Sequence, residues 1–317
     1  MGWTPIPRRS SLICITSTFF VSEGPAGFES HKAYLRSFNT YVAFLTYCLD
    51  QSNITCSPIL LLLFIAHLRD KGLKAPTIAT YVSGLRYVCK MRGWEDPGDN
   101  FMVSTALAGL AKSNKSLDVR LPITIPILSK LLLMATSVLG DQYARSLLRA
   151  MFSLAFFAFL RIGEITSRSS KITTPLVRSD LQIDLSSPAS GMSLTFKEYK
   201  HSKGSRPVVI QVSSQADKII CSVLNMIRYL SLRPASQGSL FIQADGTSVT
   251  RSYFYFYLRS LLQACSLDSS LYQGHSFRIG AASWAAQAGF SDLHIRQLGR
   301  WKSDAFHKYI RNTSIRV

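Results

Sequence analysis

From Ser153 to Leu160 the chain reads SLAFFAFL, and the four residues that follow are Arg161, Ile162, Gly163 and Glu164. This stretch closes a helix that begins near Gln142 and is apolar on nearly every side at its end. The run Leu154–Leu160, like the other long apolar run Ile59–Ala66, falls far short of the ~20 residues that a bilayer span requires. No membrane span is expected, and the helix belongs inside a protein core. That core delivers a guanidinium to its own edge. A buried guanidinium needs partners, so Arg161 either pairs with Glu164 or faces a bound anion.

A chain of 317 residues, 47% of them hydrophobic, has material for two domains of ordinary size with real cores. Lysine and arginine number 36 against 18 aspartate and glutamate, a formal net charge of +18. Such a surplus favours a polyanionic partner through steering and counterion release, the plain alternative being a basic soluble protein. The six cysteines, at 14, 48, 56, 89, 221 and 265, are scattered, with no C-x-x-C and no paired histidines. Neither a zinc site nor a disulfide framework is expected, which suits a reducing compartment. Residues 1–21 set Arg8 and Arg9 before Leu12–Val21, but Thr and Ser interrupt the apolar part and no clear cleavage site follows. The expectation there is a linker or gene-model remnant, and 1–26 reads as a poorly ordered lead.

After the lead, Ser30 can cap a helix whose apolar positions Tyr34, Phe38, Tyr41, Leu45 and Cys48 recur at three- and four-residue steps. Ser57-Pro58 supplies an N-cap and an N1 proline for a second helix through Leu68, stopped by Gly72. A third runs from about Thr77 to Arg92, with Ile78, Val82, Leu85 and Cys89 on its apolar side and Thr80, Ser83, Arg86 and Lys90 on the other. Hydroxyls and cations at helical spacing are what phosphate and groove contacts require; a solvated face is the alternative. A fourth helix, about 101–112, completes a bundle. Lys112, Lys115 and Arg120 then lie in the polar stretch KSNKSLDVR, which reads as an interdomain linker at 113–121 whose charge could track a phosphate backbone. No internal repeat is visible.

In the back half a helix from Leu121-Pro122-Ile123-Thr124 to about Leu139 precedes the apolar one. Leu181–Leu185, Met192–Tyr199 and Pro207–Val212 follow as alternating segments, the last two joined by the polar turn HSKGSR, and predict a small antiparallel sheet with a hairpin. Helices over Gln215–Leu232 and Thr250–Cys265 complete the packing; the aromatic run Tyr253–Tyr257 in the latter suits core packing better than base stacking. The chain ends in GHSFRIGAASWAAQAGFSDLHIRQLGRWKSDAFHKYIR at 274–311. His275 and Arg278 are three apart and share one face of a helix, with Gly280, Ala281 and Ala282 leaving room for a close partner. Tyr309 falls on a last short helix opened by Ser303 or Asp304.

The boxes G-H-S-F-R-I-G, L-G-R-W-K-S and Y-I-R, in that order and at compatible spacing, resemble the C-terminal boxes of the tyrosine recombinases, the phage-integrase family. Their spelling is most like the eukaryotic members of DIRS-like and Crypton mobile elements. L-R-I-G-E-I at Leu160–Ile165 resembles the family's first arginine box, and the order of the front helices resembles its core-binding domain. The resemblance implies a mainly α protein of two domains: a SAM-like core-binding bundle at 27–112, closing over one side of the DNA, and a mixed helical catalytic domain with a small antiparallel sheet at 122–317. It implies Arg161 and Arg278 as the catalytic arginines, Glu164 as the acidic group that orients the cluster and Tyr309 as the nucleophile. His275 would assist proton transfer at the scissile phosphate, and Lys203, on the hairpin turn, would protonate the departing oxygen. An exposed turn lysine is the plain reading of Lys203, and Lys197 and Lys200 lie nearby. Double-stranded DNA is the implied partner, with Thr80, Ser83, Arg86, Lys90, Lys112, Lys115 and Arg300 as contact residues, a homotetramer on two DNA sites as the assembly and the nucleus as the compartment.

These residue types suit the reaction. No carboxylate cluster marks a two-metal site and no cofactor is expected, so charge neutralisation on the phosphate falls to side chains. Two guanidinium forks can take the non-bridging oxygens as charge builds on a five-coordinate phosphorus. A 3′-phosphotyrosyl link keeps the bond energy for rejoining, and no ATP is needed. The chain departs from the family pattern where an ungapped count puts Arg300, rather than His or Trp, nine residues before Tyr309, with Trp301 one later. Trp301 is the expected occupant of that role because its indole N–H is a donor. Eight residues follow Tyr309, whereas many relatives continue into a segment that docks on a neighbouring subunit. A type IB topoisomerase would use similar chemistry on one duplex. A DNA-binding protein that no longer cuts would keep the same boxes, and charge-driven anion or RNA binding is a third possibility.

Overall fold

The computed structural model describes residues 28–51, 53–113, 118–170, 174, 176–184, 191–197 and 207–311. The chain divides into two compact units, Met1–Leu117 and Asp118–Val317.

The first unit is built from helices α1 (Phe28–Cys48), α2 (Pro58–Asp70), α3 (Ala75–Met91) and α4 (Phe101–Ser113). Ser57 caps α2 by accepting the Leu60 N–H at 3.3 Å, and Gly72 and Gly93 take left-handed φ values of 77° and 67° where α2 and α3 stop. The periodic positions face inward: Phe38, Tyr41, Leu45, Ile78, Val82, Leu85 and Cys89 are buried with Phe64 and Leu68. Two expectations are corrected. Helix α1 opens at Phe28, ahead of Ser30, and Cys48 at its end is exposed rather than part of the core face.

The second unit forms around α6 (Gln142–Phe157), packed against α5 (Ile125–Val138) and α8 (Ser222–Leu232). Every residue from Ala150 through Leu160 is buried, as the apolar run demands. Phe159 adopts a left-handed φ of 50°, which turns the chain out of α6 and starts the one-turn helix α7 (Ile162–Ile165). Strands β1 (Leu181–Asp184), β2 (Gly191–Phe196) and β3 (Val208–Ser213) form an antiparallel sheet in that order, with Leu194 opposite Leu181 and Ile210. Met192, Leu194, Phe196, Ile210 and Val212 turn one face of the sheet into the core. Helix α8 starts at Ser222, later than the expected Gln215, because the Gln215 side chain leaves the helix and accepts the Ser222 N–H at 2.7 Å.

Helices α9 (Arg251–Ala264), α10 (Gly274–Gln287) and α11 (Asp292–Leu298) complete the unit, and the 3-10 turn Asp304–Tyr309 packs on α10 and α11. Of the aromatic run in α9, Phe254 is in the core and Tyr253 and Tyr257 lie partly buried against it, while Phe256 is exposed. Helix α10 carries Gly280 where the backbone of Ile123 crosses it, and a Cβ there would collide with the Ile123 carbonyl. The room foreseen beside His275 and Arg278 is taken by this segment. Residues 121–123 run along the start of α10, the Leu121 N–H bonding to Leu271 O at 2.8 Å and the Ile123 N–H to Ser276 O at 2.9 Å.

Candidate active site

The end of α6, the first turns of α10, the turn after α11 and the 3-10 turn at Tyr309 meet at one place in the second unit. Arg161 is the N-cap residue of α7. Its backbone N–H donates to Glu164 Oε2 at 2.9 Å and its Nη1 to Oε1 at 3.3 Å. The same buried carboxylate accepts Arg300 Nη2 at 2.7 Å. One acid thus serves two guanidiniums from opposite ends of the unit's sequence, which neutralises part of the charge their burial would otherwise leave uncompensated.

Arg300 is therefore corrected from a DNA contact to an internal ion-pair partner. Its side chain is 1% exposed, its guanidinium lies 4.1 Å from the Phe196 ring centroid, and its backbone holds a left-handed φ of 53°. That conformation sends side chain 300 inward and leaves Trp301 to line the site. Gly299 precedes it because the Trp301 ring folds back over the position where a Cβ would stand.

Arg278 is 0% exposed. Its guanidinium donates to the Phe159 and Gly299 carbonyls and lies 3.9 Å from the Trp301 ring centroid and 5.8 Å from that of Tyr309. Burial first, then the guanidiniums of Arg161 and Arg300, push its pKa well below the usual arginine range. Tyr309 is partly buried; its ring centroid stands 5.2 Å from Trp301 and 6.1 Å from His275. The turn that carries it is anchored by buried Phe306 and by Ser283, whose hydroxyl donates to Tyr309 O at 3.3 Å and accepts the Arg311 N–H at 2.8 Å. His275 has an exposed face at the start of α10, yet the atoms crowding its ring partly desolvate it, and Arg120, Arg278 and Arg161 add positive charge. Its pKa is accordingly lowered, which favours the neutral imidazole.

The structure thus brings together Arg161, Glu164, His275, Arg278, Trp301 and Tyr309. Lys203, Lys200 and Lys115 lie outside the described residues. Lys197 is engaged at 2.7 Å with buried Asp180 beside β1. In the first unit the polar side of α3 is more committed than its spelling suggested. Arg86 donates to Asp96 at 2.9 Å and also pairs with Asp99, Lys90 pairs with Asp96 at 2.9 Å, and the Thr80 and Ser83 hydroxyls return to their own helix at Pro76 O and Ala79 O. Arg86 and Lys90 thus each carry a carboxylate partner, with side chains 33% and 59% exposed, and Lys112 is exposed. Thr80 lines a groove between α1 and α3 with Arg36, Ser37, Thr77 and Tyr81, and Arg36 was not singled out by the sequence.

A second feature, the pairing of Asp118 with Arg120 and Arg311, was not signalled by the sequence. Asp118 accepts Arg120 Nε at 2.7 Å and Nη2 at 2.9 Å, and Arg311 Nη2 at 2.9 Å. Arg120 reads as a linker residue in one dimension, and nothing local signals that the segment from 121 docks on α10. Among the described residues no group of three or more His, Cys, Asp or Glu could hold a metal ion, and no helix is long and apolar enough to cross a membrane.

This mainly helical fold with its small antiparallel sheet is that of the tyrosine recombinase catalytic domains. The XerH site-specific recombinase, in a post-cleavage complex with its palindromic difH substrate, superposes with a TM-score of 0.61 at 15% identity over 90% of this chain and 76% of its own. The Tn1549 transposon integrase in complex with transposon right end DNA gives 0.59 at 14% identity, over 92% of both chains. A lambda integrase dimer bound to a COC′ core site gives 0.59 at 15% identity, over 93% of this chain and 75% of its own. No family model matches the sequence. No curated protein matches it.

Proposed function

We propose that this chain is a site-specific DNA recombinase that cuts and rejoins strands through a 3′-phosphotyrosyl intermediate on Tyr309, without metal or ATP. The observation that carries the reading is the convergence of Arg161, His275, Arg278 and Trp301 on the Tyr309 turn, in a fold similar to that of solved recombinases. The phenol attacks phosphorus and the 5′-oxygen leaves. Neutral His275 is suited to take the phenolic proton as the attack proceeds. Arg161 and Arg278 hold the two non-bridging oxygens, each worth about 2.7–4 kcal/mol if it acts as an oxyanion donor. Lys203 remains the proposed acid for the leaving oxygen. Glu164, by clamping Arg161 and Arg300, keeps the arginine box in register.

In the same reading the front bundle at 27–112 is the core-binding half and 122–317 the catalytic half, working as a homotetramer on two duplexes in the nucleus for a mobile element of the DIRS-like or Crypton kind. The net charge of +18 suits a DNA partner. One observation favours a second reading, a DNA-binding protein that no longer cuts. Arg278 gives both terminal nitrogens to main-chain carbonyls beneath Trp301, so the Trp301–Tyr309 segment must shift before a phosphate reaches it. A nicked suicide duplex, taken from a randomised pool by binding to the protein, separates the two. The recombinase reading expects a covalent DNA adduct that Tyr309→Phe abolishes; bound duplex without adduct favours the second.

A further inference from the structure

Asp118, Arg120 and Arg311 form a charged trio that the recombinase reading leaves without a task. Asp118 takes the Nε and Nη2 edge of Arg120 in a bidentate pair and also accepts Arg311 Nη2. Two guanidiniums on one carboxylate leave a net positive charge. The trio stands beside the site: the backbone bonds of Leu121 to Leu271 and of Ile123 to Ser276 lay this segment along the start of α10, next to His275. Arg120 is near enough to bias the charge of His275 and to interact electrostatically with Tyr309 and Tyr255. Arg311 lies two residues past Tyr309, with its backbone N–H on Ser283. Among the described residues Arg120 Nη1 makes no hydrogen bond, so the fork has donors to give.

Resting on the assignment of Tyr309 as nucleophile, we infer that Arg120 is a further phosphate-facing cation of this site, and that Asp118 is its positioning residue. Asp118 fixes the Arg120 fork and, through Arg311, ties down the turn that carries the phenol. A carboxylate this close to a reacting phosphate would repel it if bare. Held between two guanidiniums it orients them and leaves the surplus charge positive.

The test is single-turnover cleavage of the pool-selected suicide duplex by the full chain, run beside duplex affinity and thermal unfolding. Arg120→Ala is expected to slow adduct formation about tenfold or more with affinity changed less than about threefold, by analogy with loss of one oxyanion-type donor. Arg120→Lys restores part of the rate, since lysine keeps the charge while losing the planar fork. Asp118→Asn slows the parent, and in the Arg120→Ala background it keeps only the part of its effect that runs through Arg311, so the two losses are less than additive. If the parent forms the adduct and Arg120→Ala forms it at the parent's rate, the inference is overturned while the recombinase reading stands. If the parent binds duplex and forms no adduct, the reading falls and the inference with it. A loss in Arg120→Ala matched by an equal fall in unfolding temperature, with no rescue by lysine, also overturns it.

Discussion

Arg278 and Arg300 are both buried arginines of the second unit, and their partners set what each can do. Arg300 ends on a carboxylate at 2.7 Å, so its charge is consumed inside the protein. Removing it leaves Glu164 with one guanidinium fewer in a dry site, and Arg300→Gln is expected to cost about 3–5 kcal/mol. The same substitution leaves the salt dependence of duplex affinity unchanged, because no phosphate contact is lost; unfolding and binding titrations check both halves. Arg278 ends on neutral carbonyls, so no carboxylate cancels its charge and it can turn to an anion once the Trp301–Tyr309 segment shifts. Lysine cannot present two parallel donors, and Arg278→Lys is expected to lower adduct formation about 10²–10³-fold. His275 titrates below the ordinary histidine value of about 6.5 because of desolvation first and the surrounding arginines second. The folded chain then binds fewer protons there than the unfolded chain, so its contribution to stability is intact above about pH 6.5 and erodes as pH falls through the window beneath. His275→Gln flattens that acid limb in urea midpoints measured against pH; a limb of unchanged slope contradicts the assignment.

At the scale of elements, helix α10 is fixed by how closely another chain segment passes it. Gly280 faces the Ile123 carbonyl with no space for a methyl group, and neither backbone can yield cheaply. Gly280→Ala is expected to destabilise the protein by about 1–3 kcal/mol and to displace His275 with the helix; a melting temperature equal to the parent's contradicts this. The sequence made much of this level legible. The apolar end of α6, the inward side of α3 and the alternating strands are local patterns whose period matches their burial. The start of α8 was not legible, since a glutamine that caps and a glutamine inside a helix are spelled alike. The ion pairs of Arg86 and Lys90 were not legible because their partners, Asp96 and Asp99, lie beyond the helix end. Counting back from Tyr309 put Arg300 at the site, but a left-handed backbone at that residue turns it away, and no residue-type preference announced it. Glu164 and Arg300 are 136 positions apart, and a pairing over that distance leaves no periodic trace.

For the whole molecule, two features without local structure remain: a net charge of +18 and a fold similar to that of solved recombinases. Together with the converging side chains they support the proposal that one phenol out of 13 tyrosines carries the chemistry. The Tyr309 ring packs against Trp301 and near His275, and Arg278 lies close to it. Tyr255 stands near the same helix start, its hydroxyl close to Gly274 and within electrostatic reach of Arg120. It is the rival phenol that the geometry makes worth excluding. The most direct measurement is mass spectrometry of the protein trapped on a suicide duplex, digested with protease and nuclease. The account predicts a nucleotide remnant on the peptide carrying Tyr309 and on no other; a remnant on Tyr255, or none from a duplex shown to be bound, contradicts it.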